Sequence, residues 1–373
     1  MKRVLALILI ILIFPLILTG CWDQKIYEHI GFILNVGIES SKDGNMLLTF
    51  TSPVVGEGKK EADVELIEVT GGTLREGREK ARNMSSKQLE SGKLQQFLIS
   101  SELAQKRNIH DLVEIAQRDP VLPIQCWLVI VDGSPNELIK AAANLKEKPR
   151  PAIYINQLLE NSAKGSKIPE TRLADFNIEY LAPGLDPMLP LIKLSNNQVM
   201  VTGSALFSKG KMTGKLSTRQ SFLALAMMGR ARKAGFSSID PIFPKVSDDG
   251  KEDMATELRA IKRNIKIKMV DGEPVVNIYI NFAGYISEYG WDSLTDQAVQ
   301  KEIESYLSER LKKDCIETIN ILQQANCDAI GIGDMIRAKC GEYWKSVDWE
   351  DAYRDIVIDV DVNVDIKQFG VID

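Results

Sequence analysis

The most regular pattern of apolar and polar positions lies near the end of the chain. From Ile358 to Ile366 every second residue is a branched aliphatic one, and the residues between them are Asp359, Asp361, Asn363 and Asp365. A period of two places successive side chains on opposite faces of a strand. The segment therefore predicts a strand with one buried face and one acidic, exposed face.

An earlier alternating segment folds back on itself. Ile265, Ile267 and Met269 alternate with lysines, and a second apolar alternation at 276–282 follows Asp271-Gly272. An Asp-Gly pair between two such runs predicts a hairpin.

The lysines of this hairpin suggest a pairing. We expect Lys266 and Lys268 to lie opposite Asp359 and Asp361 on neighbouring antiparallel strands, where each pair of opposite charges contributes about 0.2–1 kcal/mol.

The sequence between these two strand segments has the periodicity of a helix. From Leu294 to Leu322 apolar residues recur at every third or fourth position, which predicts a long amphipathic helix. A second helix is predicted from about Asp328 to Trp344.

The first half of the chain mixes strands and helices. Runs at 31–38 and 46–55 flank Asp43-Gly44 and predict another hairpin, with a third strand at 63–69. Thr73 and Ser134 are predicted helix N-caps, each with a glutamate three residues later. The stretch from Pro183 to Pro190 is too rich in proline for a helix or an inner strand.

Together these elements predict an α+β protein of two to three domains. We expect mixed or antiparallel sheets, and the long amphipathic helix in the C-terminal domain. The predicted division is an N-terminal α+β domain at 21–195, a middle domain or first part of the C-terminal unit at 196–250, and a C-terminal α+β domain at 251–373.

Residues 1–20 have the features of a lipoprotein signal peptide. Lys2 and Arg3 precede an apolar run from Val4 to Leu18, which is shorter than the roughly 20 residues that a spanning helix needs. Leu18-Thr19-Gly20-Cys21 then resembles the bacterial lipobox, in which the cysteine thiol receives a diacylglyceryl group. We expect lipidation at Cys21 and a chain anchored on the outer face of a membrane, because two acyl chains bind a bilayer durably.

Charge argues against a nucleic-acid partner. Without residues 1–20 the chain has 44 basic and 51 acidic residues, so it lacks the positive field that a phosphate backbone requires.

The search for catalytic and metal-binding patterns finds none that is complete. The chain has two histidines, His29 and His110, and it lacks the common hydrolase, zinc-protease and nucleotide-binding motifs. Gly331-Ile332-Gly333 is interpreted as a closely packed turn. The acidic strand at 359–365 lacks the glycine and the glutamate that a calcium loop requires. We therefore expect no catalytic residues, no metal and no cofactor.

Four cysteines remain besides Cys21. We interpret Cys126, Cys315, Cys327 and Cys340 as core residues, although a disulfide among the last three stays open.

A short basic cluster consists of Arg230, Arg232 and Lys233. It is interpreted as a solvated helix end, with contact to lipid headgroups as the alternative.

Several short motifs resemble the Ger(x)C family, the lipoprotein C subunits of spore germinant receptors. They occur in the family's order along nearly the whole chain. They are Cys21-Trp22-Asp23, the segments at 35–38, 99–104, 118–120, 203–207 and 211–216, and Asp328-Ala329-Ile330-Gly331-Ile332-Gly333. Ile26 and Lys93 depart from the family pattern, and Lys93 stands where many members have histidine.

The resemblance implies a non-enzymatic subunit on the inner spore membrane, facing outward. Its expected partners are two membrane-embedded germinant receptor subunits, together with the lipid bilayer through Cys21. A solute-binding lipoprotein of a transporter remains the alternative, and a surface hydrolase is a third option that the shortage of histidine disfavours.

Overall fold

The computed structural model describes Arg3 and residues 27–54, 63–145, 148–231, 236–241, 253–288 and 297–369. Within these residues the strands are β1 Ile30–Phe32, β2 Asn35–Ser40, β3 Met46–Pro53, β4 Val64–Gly71, β5 Gln88–Glu90, β6 Gln96–Ser100, β7 Trp127–Val131, β8 Met188–Ser195, β9 Gln198–Ser208, β10 Lys211–Ser217, β11 Phe236–Pro241, β12 Asp253–Val270, β13 Glu273–Glu288 and β14 Val357–Phe369. The α-helices are α1 Leu74–Arg82, α2 Ser101–Lys106, α3 Ile109–Gln117, α4 Pro135–Ala143, α5 Pro151–Lys164, α6 Leu173–Leu181, α7 Thr218–Met228, α8 Gln297–Gln324, α9 Ile332–Lys339, α10 Gly341–Ser346 and α11 Trp349–Ala352. The predicted α+β class is confirmed.

The first sheet has eight strands in the order β10-β9-β8-β7-β6-β2-β3-β4. Its centre, β2-β6-β7-β8, is parallel, and antiparallel strands extend it on both sides. Helices connect the parallel strands, as a crossover requires. The sheet is therefore mixed, as predicted.

Helices cover both faces of this sheet. Leu103 of α2 and Phe176 of α6 are buried in the core on one face, which α1 and α3 also cover. Leu138 of α4 and Ile155 of α5 are buried in the core on the other. Burial on both faces explains why β7 consists of five apolar residues without alternation.

The second sheet has four strands in the order β11-β12-β13-β14. Its inner face packs on α7 and on the long helix α8, in one core that also includes the ends of β8, β9 and β10. Phe222 of α7 and Phe282 of β13 lie in this core with their ring centroids 5.8 Å apart. The predicted long C-terminal helix is confirmed.

Local signals place several element ends correctly. Thr73 Oγ1 accepts the Glu76 N–H at 3.1 Å, and Ser134 Oγ accepts the Glu137 N–H at 3.1 Å. Both predicted hairpins form, β2 with β3 and β12 with β13. These features depend on residues close in sequence, which explains why the pattern predicts them.

The expected pairing of lysines with aspartates is wrong. Strand β14 pairs in parallel with β13, and Asp361 lies opposite Tyr279. Lys266 is on β12, so the whole of β13 separates it from the aspartates. Asp361 instead accepts from Lys312 Nζ of α8 at 3.0 Å. The second lysine and aspartate, Lys268 and Asp359, are separated in the same way.

The proline-rich stretch also differs from its prediction. Pro190 lies within β8, an inner strand between β7 and β9. The pairing of β8 with β7 begins only at Leu191, so the missing N–H of Pro190 costs no hydrogen bond to β7. Likewise, the predicted helix 328–344 is two helices, because Cys340 leaves the helical region with φ −126° and ψ 53°.

The division of the chain into domains stays a prediction. Strands β8 and β9 pair with each other across the predicted boundary at residue 195. The predicted boundary at residue 250 lies outside the described residues.

Candidate functional site

The segment that follows α8 folds into a tight turn around one buried carboxylate. Asp328 accepts backbone N–H groups from Gly331 at 3.0 Å, from Ile332 at 2.9 Å and from Gly333 at 2.6 Å. These donors belong to the start of α9, whose first N–H groups have no partner within the helix. Asp328 therefore caps α9 from outside it.

A second segment, at 183–187, docks on this turn. The Asp186 carboxylate accepts the Asp328 N–H at 2.9 Å, and the Asp186 N–H donates to the Asp328 carbonyl at 3.1 Å. The Asp334 N–H donates to the Gly184 carbonyl at 3.0 Å. We call residues 183–187, 327–334, 349 and 353 the acidic joint, since they connect the end of the first sheet to the C-terminal helices.

Glycine is required where these segments touch. A Cβ on Gly184 would lie 2.5 Å from the carbonyl carbon of Gly333, and Gly184 also has a φ of 77°. A Cβ on Gly333 would lie 2.3 Å from Trp349 Nε1. Gly331-Ile332-Gly333 is thus a closely packed turn, as the sequence predicts.

Burial shifts the titration of the joint. It raises the pKa of Asp328 to about 7 although three backbone N–H groups favour the ionised form. It raises the pKa of Asp186 to about 6, against the hydrogen bond from the Asp328 N–H. Both carboxyls are bound to backbone groups of this chain, so the joint fastens chain segments and carries two weakly acidic carboxyls.

Two aromatic side chains close the joint. Tyr353 is 1% exposed, and burial raises its pKa well above the ordinary value. Neither its hydroxyl nor the Nε1 of Trp349 has a hydrogen-bond partner among the described residues. Sequence reasoning missed Asp186, Tyr353 and Trp349, since the only local signal was the Gly-x-Asp inside the proline-rich stretch.

The structure places the other candidate residues apart from this joint. His110 stacks on Tyr180 with ring centroids 4.0 Å apart and its Nε2 lies 2.9 Å from Asn177 Oδ1. His29 is exposed. Arg230 pairs with the buried carboxylate of Glu179. Cys21, Arg232 and Lys233 lie outside the described residues.

The remaining cysteines occupy the core as predicted, three fully and one in part. Cys126, Cys315 and Cys327 are buried, Cys340 is half-buried, and all four are free thiols. Burial raises the pKa of Cys126 and of Cys315 to about 12. Within the described part of the chain no three metal-binding side chains cluster. No helix there is both long and apolar enough to cross a bilayer.

Comparison with known families decides what the chain is related to. Residues 23–194 match the family model described as "Spore germination protein N-terminal domain". Residues 202–370 match the model "Spore germination B3/ GerAC like, C-terminal". The chain belongs to the Ger(x)C family of spore germination proteins. The acidic joint of this Ger(x)C protein is formed by segments from both matched regions.

The sequence similarity to individual relatives extends along nearly the whole length of both chains. The chain is 24% identical to spore germination protein GerQC of Bacillus cereus, over 97% of this chain and 98% of that one. It is 22% identical to spore germination protein KC of Bacillus subtilis, strain 168, over 99% and 97%. The crystal structure of the GerBC protein is similar with a TM-score of 0.54 and 17% identity, over 89% of this Ger(x)C chain and 96% of that chain. This last likeness shows a shared fold.

Proposed function

We propose that this chain is the non-enzymatic lipoprotein subunit of a nutrient germinant receptor, required for spore germination. The match of both halves to spore germination family models, in order and over nearly the whole chain, carries the proposal. The same match favours the receptor subunit over a solute-binding lipoprotein of a transporter. Deletion of the gene, in a strain without other receptors, should abolish the response of spores to a nutrient; a normal response to every nutrient contradicts the proposal.

The proposal places the protein on the outer face of the inner spore membrane through Cys21. Leu18-Thr19-Gly20-Cys21 supports it, because the thiol is the only side chain there that can form a thioether. Two acyl chains, each contributing about 0.8 kcal/mol per buried CH₂, would hold the chain on the bilayer.

Labelling with radioactive palmitate tests this anchor. The natural chain should take up the label, and Cys21→Ala should remain an unlabelled, uncleaved precursor. Cys340→Ala is the matched control, since Cys340 is a half-buried free thiol elsewhere in the chain. Equal labelling of Cys21→Ala and the control contradicts the anchor.

The proposed partners are two membrane-embedded receptor subunits. The resemblance to Ger(x)C proteins, which both family-model matches support, implies such partners. Affinity purification of the full chain from spore membranes should recover both subunits. Recovery of neither from membranes that contain them contradicts the proposed complex, whereas the palmitate result would stand independently.

The contacts of the acidic joint favour a structural role for Gly184 and Gly333, where a Cβ would overlap the facing segment, over a chemical role. Asp186 and Asp328 accept backbone hydrogen bonds within the chain. We propose that the joint keeps the two sheets in a fixed relation while the receptor subunits bind, and that the chain carries no catalytic activity.

A further inference from the structure

A cavity of about 410 Å³ lies between the first sheet and helix α1, apart from the acidic joint. Its floor is apolar and buried. The floor residues are Ile33, Val36, Phe50, Leu94 and Phe97. The volume is in the range of about 300–1,000 Å³ that binds small molecules, and an apolar floor is typical of such sites.

The polar lining of this cavity is dominated by guanidinium groups. Arg75 and Arg78 come from α1, and Arg118 comes from the segment after α3. Asp119 is the one carboxylate among the described lining residues. Arg78 is paired with Asp119 and Arg118 with Glu114, so Arg75 supplies the net positive charge at this cavity, in a chain that is acidic as a whole.

The carboxylate of Asp119 binds neighbouring groups of this chain in the cavity lining and beside it. It pairs with Arg78, and it accepts from Ser91 Oγ at 3.1 Å and from the Val121 N–H at 3.1 Å. Burial opposes ionisation of Asp119, but the hydrogen bonds from Val121, Arg78 and Ser91 prevail and lower its pKa. Asp119 therefore stays charged and fixes Arg78 in place.

The other two arginines, Arg118 and Arg75, form fewer bonds with other side chains. Arg118 is exposed and contacts Glu114 through one nitrogen at 2.7 Å. Arg75 is exposed and forms no ion pair with another described residue. A guanidinium has five N–H donors in a planar fork that matches the two oxygens of a carboxylate. Arg75 thus offers a free fork beside an apolar floor.

We propose that this cavity binds a small anion with an apolar body, an organic carboxylate whose hydrocarbon part covers the floor and whose oxygens bind Arg75 and Arg118. The apolar floor supplies affinity for the hydrocarbon, and the unpaired guanidinium selects the negative charge. A neutral analogue of the same shape would leave the arginines without an acceptor. Inorganic phosphate would leave the floor uncovered.

Isothermal titration calorimetry on the full chain in lipid nanodiscs tests the proposal, with empty nanodiscs as the blank. The probes are 3-phenylpropionate, its neutral amide, and inorganic phosphate. We expect 3-phenylpropionate to bind at least tenfold more tightly than the amide and more tightly than phosphate, since the neutral amide loses the charge-assisted hydrogen bonds to the guanidinium groups. Absence of binding by 3-phenylpropionate, or equal affinity for acid and amide, overturns the proposal.

Variants locate the binding. Arg75→Gln should weaken 3-phenylpropionate roughly tenfold without loss of fold, since Arg75 is exposed. Arg107→Gln is the matched control, because Arg107 is an exposed arginine of the same half that bonds the Gly44 carbonyl and does not line the cavity. Leu74→Trp, at a half-buried residue of the lining, should abolish binding because the larger side chain fills the cavity. Unchanged affinity in both Arg75→Gln and Leu74→Trp overturns the assignment to this cavity.

Discussion

Asp186 and Asp328, 142 residues apart in sequence, are joined by two hydrogen bonds. The Asp186 carboxylate accepts the Asp328 N–H at 2.9 Å, and the Asp186 N–H donates to the Asp328 carbonyl at 3.1 Å. Asp328 in turn uses its own carboxylate to cap α9. Together with the Asp334 N–H, which donates to the Gly184 carbonyl, this pair couples the segment that precedes β8 to the C-terminal helices.

Replacement of the capping carboxylate should destabilise the chain strongly. Asp328→Asn puts an amide NH₂ against the Gly333 N–H, which leaves a buried donor without an acceptor. We expect the free energy of unfolding, measured in urea by circular dichroism, to fall by about 3 kcal/mol. Asp334→Asn, at an exposed carboxylate of the same helix, should change it by less than about 1 kcal/mol. Equal losses in both variants would contradict the capping role.

The joint should also make stability depend on pH. Burial raises the pKa of Asp186 from its ordinary 3.8 to about 6, so between these values the folded state holds a proton that the unfolded state releases. Rising pH therefore removes stability over this window.

Asp186→Asn removes this titration, because the amide oxygen can still accept the Asp328 N–H, and it also removes a charge that helps to raise the pKa of Asp328. The stability of the natural chain relative to this variant should fall by about 2 kcal/mol from pH 4 to pH 7. Urea unfolding at each half unit of pH measures the difference. Parallel stability curves would show that Asp186 titrates alike in the folded and unfolded states.

A methyl group at Gly184 should not be tolerated. Gly184→Ala combines a left-handed backbone with a Cβ that would lie 2.5 Å from Gly333. We expect a loss of at least about 2 kcal/mol in the free energy of unfolding, with a lower melting temperature. Gly341→Ala is the control, since a Cβ there meets no atom within 4 Å. A melting temperature for Gly184→Ala equal to that of the natural chain would mean that the two segments of the joint can separate with little loss of free energy.

The outer edge of β14 should depend on two side chains of α8. Ser308 Oγ accepts the Val364 N–H at 3.0 Å, and Glu304 Oε1 accepts the Ile366 N–H at 2.9 Å. Ser308→Ala removes one acceptor and should cost about 1 kcal/mol. It should also speed hydrogen exchange at Val364, measured by NMR.

Glu304→Gln is the matched variant for this edge, because it keeps an acceptor oxygen at the same position. It should leave both stability and exchange at Ile366 nearly unchanged. Faster exchange in Glu304→Gln but not in Ser308→Ala would reverse the expected order and contradict the account of the edge.

Much of the local structure was predictable because it depends on neighbours in sequence. The alternation before Ile366 specifies which face of β14 is buried. Thr73 and Ser134 each fix a helix start by accepting a hydrogen bond from the N–H three residues later. The interpretation of Gly331-Ile332-Gly333 as a packed turn was correct. Its partners in the joint were not predictable, since Gly184 and Trp349 are distant in the chain.

The sequence by itself determined the α+β class, the hairpins, the long amphipathic helix and the family, because periodicities and short motifs are local. Only the tertiary structure decided that β14 lies parallel to β13, that Asp361 meets Lys312, and that Pro190 enters an inner strand. It alone placed Arg75 and Arg118 in the lining of one cavity and brought Asp186 to Asp328. The physical reason is that a pattern specifies which face of an element is buried, whereas packing of the whole core selects the element that covers it.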